Sequence, residues 1–147
     1  MPYSSNLCKD WLMDYLNSNI KSKRILDIGA GCGTWGLRLR ELKFINIDAV
    51  EVFKPYITTF NLKNIYNTVH EGNIVAICDR LPEYDLMILG DVLEHLSVED
   101  AQYVLEVLKA NAKEIIVIVP YNYPQGIVNH NEHEVHLQPG LNDVKFR

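Results

Sequence analysis

Residues 25–36 of the chain are Ile-Leu-Asp-Ile-Gly-Ala-Gly-Cys-Gly-Thr-Trp-Gly. The apolar residues Ile25, Leu26 and Ile28 predict a short buried strand, and the glycines that follow predict a tight turn that opens a helix at Thr34. Because glycine has no Cβ, such a turn lets backbone amides approach a ligand closely. The stretch therefore predicts a strand, a ligand-binding loop and a helix in succession.

Two classes of ligand are compatible with the glycine turn. Gly31, Gly33 and Gly36 have the G-x-G-x-x-G spacing of dinucleotide-binding folds, and Glu51 follows about twenty residues on, where a ribose-binding acid is expected. Asp27 indicates the other class, because a carboxylate at the end of the strand repels a pyrophosphate. The same carboxylate attracts the ammonium and sulfonium groups of S-adenosylmethionine, so charge favours that methyl donor over NAD.

The segment from Leu26 to Gly33 resembles the first motif of class I S-adenosylmethionine-dependent methyltransferases. The resemblance implies that S-adenosylmethionine is the cofactor. It also implies that the residues of this motif bind the cofactor, namely Asp27, Gly29, Ala30, Gly31 and Gly33.

Later segments resemble the same family in the same order. Glu51 ends the second predicted strand, and the resemblance implies that it accepts hydrogen bonds from both ribose hydroxyls, with Val52 beside it; Asp48, within the strand, is the competing acid. Asn73 and Ile74 stand where the family usually has an acid that contacts the adenine amino group. Asparagine can accept that bond through its amide oxygen, although Asn73 also fits as a simple turn residue.

Residues 90–96, Gly-Asp-Val-Leu-Glu-His-Leu, are similar to the segment that many methyltransferases place beneath the methionine end of the cofactor. The resemblance implies that Asp91 and Val92 line that pocket. A hydroxyl acceptor must lose its proton during methyl transfer, and a histidine with a near-neutral pKa can assist. His95 and Asp91 are therefore the candidate catalytic residues.

A metal site is a further hypothesis for this segment. Asp91, Glu94 and His95 are at positions i, i+3 and i+4, on one face of a helical turn, and all three can ligate a divalent cation. The layout resembles that of ubiquinone-biosynthesis O-methyltransferases and of small-RNA 2′-O-methyltransferases, where the second group adds a later histidine, for which His133 fits best. Metal-free methyltransferases carry the same segment, with Glu94 and His95 bracing the helix, so the sequence leaves the metal undecided.

The apolar periodicity predicts five strands and four helices. The strands are 24–28, 44–50, 66–70, 84–89 and 114–119, and the helices are 6–19, 34–42, 53–61 and 98–111. Ser97, with Asp100 three residues on, predicts the cap of the last helix. This alternation predicts an α/β fold with a doubly wound, mainly parallel sheet. It is the Rossmann-like topology of the methyltransferases that the motifs resemble.

Two parts of the expected fold stay open. The first helix, with Tyr3 and Trp11, either covers the cofactor or packs on the sheet. The run Ile115 to Val119 is apolar on both faces, which is typical of a central strand. Only 28 residues follow it, too few for the last strands of the seven-stranded family sheet. We therefore expect a sheet shortened at its C-terminal strands, whose open edge favours a homodimer.

Length and composition define the remaining expectations. The 147 residues fit a single domain, with an N-terminal helix (1–22), a cofactor-binding core (23–120) and a loop-rich tail (121–147). A net charge of −5 argues against nucleic acid as the partner. No segment approaches the roughly 20 apolar residues of a membrane span, and Cys8, Cys32 and Cys78 suit reduced thiols, so we expect a cytoplasmic protein.

The sequence thus predicts an S-adenosylmethionine-dependent methyltransferase that acts on a small-molecule acceptor. One alternative is a catalytically incomplete S-adenosylmethionine-binding domain or partner subunit. The other is an NAD-dependent oxidoreductase, which the charge of Asp27 and the absence of an evident second substrate region disfavour.

Overall fold

The computed structural model describes residues 9–18 and 23–141. The strands are β1 (Arg24–Ile28), β2 (Asn46–Glu51), β3 (Val69–Glu71), β4 (Leu86–Gly90) and β5 (Ile115–Ile118). The helices are α1 (Lys9–Asn17), α2 (Thr34–Glu41), α3 (Lys54–Thr59), α4 (Ile74–Ile77) and α5 (Val98–Asn111). Short 3-10 turns lie at Leu62–Asn64, Cys78–Arg80, Leu93–His95 and Glu132–Glu134.

The five strands form one parallel sheet in the order β3-β2-β1-β4-β5. Alternate residues of each strand point to opposite faces. Ile25 and Ile88 pack with α1, α2 and α3 on one face, whereas Leu26 and Leu89 pack with α4 and α5 on the other. This arrangement confirms the predicted doubly wound α/β fold. Its five strands also match the expected shortened sheet.

The first helix packs on the sheet. Leu12 and Leu16 are fully buried in the same core cluster as Ile25, whereas Trp11 is 63% exposed and stacks on Tyr15. Of the two arrangements that the sequence allowed for this helix, the structure therefore has the second. Tyr3 and Cys8 lie outside the described residues.

β5 lies at the edge of the sheet and pairs with β4, as expected for the last strand of a shortened sheet. Its apolar residues are also typical of a central strand. All four of its residues are half-buried. The apolar side chains of β5 pack against the core clusters on the two faces of the sheet. Their burial does not depend on whether another strand pairs with the edge. The homodimer that was inferred from this edge stays a prediction.

Some element boundaries differ from those predicted by the sequence, because packing between distant segments determines them. β3 begins at Val69 instead of residue 66, because the Tyr66 ring is buried beneath α2 in the first core cluster. The four-residue helix α4 was not predicted, since one turn is too short to show periodicity. The cap of α5 is confirmed: Ser97 Oγ accepts a hydrogen bond from the Asp100 amide at 3.1 Å.

Among residues 9–18 and 23–141, no helix has both the length and the apolar character that crossing a bilayer requires. Cys32 and Cys78 are free thiols, as expected, and Cys78 is buried in the second core cluster.

A buried hydrogen-bond chain supports the glycine loop from below. The Tyr66 hydroxyl donates to Asp27 Oδ2 at 2.5 Å and accepts from the Gly36 amide at 3.1 Å. Gly36 is required here, because a Cβ at this position would lie 2.4 Å from Tyr66 Cζ. The chain joins the end of β1 to the first turn of α2, so it fixes the loop that connects them.

Burial raises the pKa of the Asp27 carboxyl to about 7, and the nearby Glu51 charge adds to this rise, whereas the Tyr66 hydrogen bond opposes it. The folded protein therefore holds a proton on Asp27 at pH values where the unfolded chain has released it. The stabilisation from that proton is present at pH 5 and is lost as the pH rises through about 7.

We expect Asp27→Asn to flatten the pH dependence of stability. Between pH 5 and pH 8 the free energy of unfolding of the wild type should fall, relative to that of the variant, by on the order of 2 kcal/mol. Denaturant unfolding of both proteins across this range measures the difference. Asp79→Asn, at an exposed carboxyl, is the control and should follow the wild type. Parallel curves for the wild type and Asp27→Asn would contradict the assignment.

Candidate functional site

A cavity opens at the carboxyl ends of β1, β2 and β4, the edge where parallel α/β sheets bind ligands. Four segments that follow the strands line it: 28–31, 50–52, 72–74 and 90–92. The remaining lining residues are Tyr56, His95, Leu96, Asn131, His133 and Glu134. The cavity therefore combines the predicted glycine loop with side chains from the C-terminal tail.

The glycine loop is tied to the end of β2. The amides of Gly29 and Ala30 both donate to the Val50 carbonyl oxygen, at 2.9 and 3.1 Å. Gly29 has a φ of +77°, and a Cβ there would lie 2.5 Å from Val92 Cγ2. Glycine is thus needed at this position both for the backbone conformation and for the close approach of Val92.

Glu51 is the most constrained acid of the cavity. Its Oε2 accepts from the Gly31 amide at 2.7 Å, and its Oε1 accepts from the Phe53 amide at 2.8 Å. Burial raises the pKa of this carboxyl, while the two amide hydrogen bonds act in the opposite direction. Each carboxylate oxygen keeps a second lone pair. Glu51 is therefore held in one orientation and can still accept hydrogen bonds from a ligand.

Most of the predicted cofactor-binding residues line the cavity: Gly29, Ala30, Gly31, Glu51, Val52, Asn73, Ile74, Asp91 and Val92. The competing acid Asp48 is instead buried beside Arg24 and Tyr84, both of which donate to its Oδ2 at 3.0 Å. The structure therefore brings Glu51 and not Asp48 to the cavity.

Asn73 is a turn residue that also lies at the cavity, and its expected contact with adenine stays a prediction. Its Oδ1 accepts from the Val75 amide at 3.0 Å and so caps α4, and the residue also lines the cavity. The turn role and the cavity position coincide, because α4 begins where β3 ends.

Asp27 is fully buried and does not line the cavity, so its expected contact with the cofactor stays a prediction. The alternation along β1 directs Asp27 to the face of the sheet that packs against α2, where Tyr66 meets it. Gly33 also lies off the cavity: its φ is +81°, and a Cβ there would lie 2.6 Å from Ile65 Cδ1. These two residues shape the loop from beneath.

Asp91 has a backbone conformation that is unusual for a side-chain-bearing residue. Its φ is +57°, and its amide donates to the Ile118 carbonyl at 2.8 Å, which ties the end of β4 to β5. Non-glycine residues in the left-handed region carry a conformational cost, and such residues cluster at functional sites. Asp91 and His95, the two candidate catalytic residues, both line the cavity.

The C-terminal tail closes one side of the cavity. The amides of Leu137 and Gln138 donate to the Glu94 carbonyl at 2.8 and 3.0 Å. The Gln138 side chain also donates to the carbonyls of Leu93 and Leu96, at 2.9 and 3.0 Å. These contacts hold the tail against the 3-10 turn Leu93–His95, and they bring Asn131, His133 and Glu134 to the cavity.

Sequence reasoning missed Tyr56, Asn131 and Glu134. The Tyr56 hydroxyl donates to Glu134 Oε1 at 3.1 Å, across 78 residues of sequence. Asn131 caps the turn Glu132–Glu134 by accepting from the His133 amide. That cap was the one local signal in the tail, since an asparagine before a short polar segment favours such a turn.

The predicted metal ligands are brought together only in part. Glu94, His95 and His136 each offer a ligand atom, and these atoms lie within 4.8 Å of one another. His133 lines the cavity but is not in this cluster, and neither is Asp91. Burial raises the pKa of the Glu94 carboxyl to about 8 and lowers the pKa of His95. The histidine that completes the cluster is therefore His136, which the sequence analysis did not single out.

Comparison with known proteins gives a result at the level of structure. No protein-family model and no curated protein matches the sequence. A SAM-dependent methyltransferase from Archaeoglobus fulgidus matches with a TM-score of 0.65 at 24% identity, over 80% of this chain and 54% of that one. The methyltransferase domain of bacterial CtHen1-C matches with a TM-score of 0.66 at 21% identity, over 93% and 76%.

A third solved structure is that of CalS10 with SAM bound, an amino pentose methyltransferase from Micromonospora echinaspora. It matches with a TM-score of 0.62 at 15% identity, over 83% of this chain and 53% of that one. This chain thus spans about half the length of CalS10 and of the Archaeoglobus protein. At these identities the likeness concerns the fold. The chain has the Rossmann-like class I fold of S-adenosylmethionine-dependent methyltransferases.

Proposed function

We propose that the cavity binds S-adenosylmethionine and that the chain transfers its methyl group to a small-molecule acceptor. The observation that carries this proposal is the Glu51 carboxylate, which two backbone amides hold beside the glycine loop. An oriented carboxylate with lone pairs to spare suits the two hydroxyls of a ribose. The fold shared with solved methyltransferases supports the same conclusion.

The charge of the cavity fits this ligand. Glu51, Asp91 and Glu134 all line it, and the chain carries a net charge of −5. Carboxylates attract the ammonium and sulfonium groups of S-adenosylmethionine and repel the pyrophosphate of NAD. Asp91 and Glu134 carry this preference, because a ribose-binding acid at Glu51 suits both cofactors and Asp27 does not line the cavity.

The bound methyl donor supplies an already activated methyl group on a positively charged sulfur. The protein has mainly to hold the acceptor in line with it and exclude competing geometries. Asp91 and His95 both line the cavity, and burial lowers the pKa of His95, which favours its neutral form. A neutral imidazole offers a lone pair that accepts a proton from a hydroxyl acceptor or binds a cation that makes that hydroxyl more acidic.

Calorimetric titration tests the choice of cofactor. We expect the purified chain to bind S-adenosylmethionine and its demethylated product, and to show no binding of NAD at the same concentrations. Tight binding of NAD without binding of S-adenosylmethionine would overturn the proposal in favour of an oxidoreductase.

Glu51→Gln should weaken binding of S-adenosylhomocysteine by about 1.5–3 kcal/mol, or roughly 10- to 150-fold in Kd, because it replaces a charged acceptor by a neutral one. Glu71→Gln is the matched control, since Glu71 pairs in register with Glu51 on the next strand but is exposed. Calorimetry should give a wild-type Kd for this control. Equal affinities for all three proteins would contradict the role of Glu51.

Turnover separates an enzyme from a domain that only binds the cofactor, which the chain's span of about half the Archaeoglobus protein keeps as an alternative. We expect release of S-adenosylhomocysteine when the protein is given S-adenosylmethionine and a panel of phenolic and sugar hydroxyl acceptors. Cofactor binding with no release for any acceptor would favour the catalytically incomplete domain or partner subunit.

A further inference from the structure

Glu134 reaches the cavity from the C-terminal tail, whereas Glu51 and Asp91 line it from the ends of β2 and β4. The residue is 7% exposed, so its carboxylate is built into the cavity wall. The family resemblance implies cofactor contacts for Glu51 and Asp91 and none for Glu134. A contact of Glu134 with a ligand therefore concerns the second substrate.

Hydrogen bonds from two other segments orient the Glu134 carboxylate. The Tyr56 hydroxyl of α3 donates to Oε1 at 3.1 Å, and the Tyr56 ring packs edge to face on Phe53 with centroids 4.8 Å apart. Nε2 of Gln125 donates to the Glu134 carbonyl at 2.8 Å and to Oε2 at 3.4 Å. A phenol and an amide are neutral donors, so these bonds fix the carboxylate and add no positive charge to it.

The wall of the cavity is negatively charged. Glu51, Asp91 and Glu134 line it, and in the described part of the chain its lining includes no lysine or arginine. S-adenosylmethionine carries two cationic groups and one carboxylate, so the cofactor leaves much of this charge unbalanced. Carboxylates that are removed from water need a cationic partner. The charge balance therefore favours a second ligand that is a cation.

Glu94 is an independent sign of the same unbalanced charge. It is 1% exposed, and neither of its carboxylate oxygens has a hydrogen-bond partner among the residues that the structure describes. Burial raises the pKa of its carboxyl, and the charges of Asp91 and Glu134 add to this rise. The negative potential thus extends behind the cavity wall, next to His95.

The Glu134 carboxylate is close to the candidate base His95. Nδ1 of His95 lies 3.1 Å from the carbonyl oxygen of Val135, the residue after Glu134, and both Glu134 and His95 line the cavity. Burial lowers the pKa of His95, and the charge of Glu134 acts in the opposite direction, so this charge reaches the imidazole. One small molecule can therefore contact both groups.

We propose that Glu134 binds an ammonium group of the methyl acceptor, which is then a small hydroxyl compound that carries this group. The inference rests on the proposed function. A protonated amine has no lone pair with which to attack the methyl group, so the amine is recognised and the hydroxyl is methylated. The acceptor oxygen bonds to the methyl carbon, the carbon–sulfur bond breaks with its electron pair on sulfur, and the hydroxyl proton passes to His95.

Matched ligands of different charge test the inference. Tyramine, para-ethylphenol and phloretate share a phenol and carry an ammonium, a neutral or a carboxylate side chain, and glucosamine and glucose form a second pair. Calorimetry on the protein saturated with S-adenosylhomocysteine measures their Kd. We expect tyramine or glucosamine to bind at least about tenfold tighter than its neutral counterpart, and phloretate to bind most weakly of the phenols, because like charges repel.

Substitutions locate this preference. In Glu134→Gln the preference for the cation should fall by about tenfold or more. Glu132→Gln is the matched control, because Glu132 lies in the same turn but is exposed and outside the cavity, and it should keep the preference. Tyr56→Phe removes the hydroxyl that orients the carboxylate, so it should weaken binding of the cation and leave that of the neutral ligand unchanged.

Binding of S-adenosylhomocysteine separates this inference from the proposed function. Each variant should bind it with a Kd within about threefold of the wild type, which also shows that the variant is folded. Weaker binding in a folded Glu134→Gln would assign Glu134 to the cofactor and overturn the inference. Equal affinity for charged and neutral ligands, binding of none of them, or loss of the preference in Glu132→Gln would also overturn it. A cation preference without any binding of S-adenosylhomocysteine would refute the proposed function and leave Glu134 as a cation site.

Discussion

The cavity depends on one carboxylate that accepts from two backbone amides. Glu51 joins Gly31 of the glycine loop to Phe53 at the start of α3, so the ends of β1 and β2 are fixed relative to each other. Without the Glu51 carboxylate, these two amides would be free to move, and ordering them on binding would lower the affinity for a ligand. Because the amides are already in place, the remaining lone pairs of Glu51 can accept hydrogen bonds from a ligand.

A second carboxylate, that of Asp27, supports the glycine loop from the side that faces away from the cavity. Asp27 lies beneath the loop, where Tyr66 donates a hydrogen bond to it and burial raises its pKa to about 7. The two acids of the loop thus differ by environment: Glu51 meets the cavity and backbone amides, whereas Asp27 meets a phenol inside the core. The geometry of the loop is therefore fixed from both sides of β1, and only one of these sides faces the cavity.

The sequence predicted the parts of the fold that local patterns encode. β1 and α5 have the predicted bounds, and the residues after β1, β2, β3 and β4 meet at one edge, because parallel strands end there together. It could not predict which face Asp27 points to without knowing that Tyr66 fills the space below. The Tyr56–Glu134 contact also depends on residues far apart in the chain, which periodicity does not reveal.

The choice between His133 and His136 shows the same limit at the level of one turn. The sequence pattern favoured His133, but both histidines follow the fifth strand in a segment without periodicity, and the structure brings His136 to Glu94 and His95. The turn Glu132–Glu134 brings His133 to the cavity. The amides of Leu137 and Gln138 donate to the Glu94 carbonyl, and these hydrogen bonds hold the adjoining part of the tail against the turn after β4. His136 immediately precedes that anchor. His136 is therefore held near Glu94, whereas His133 lies on the side of the tail that faces the cavity.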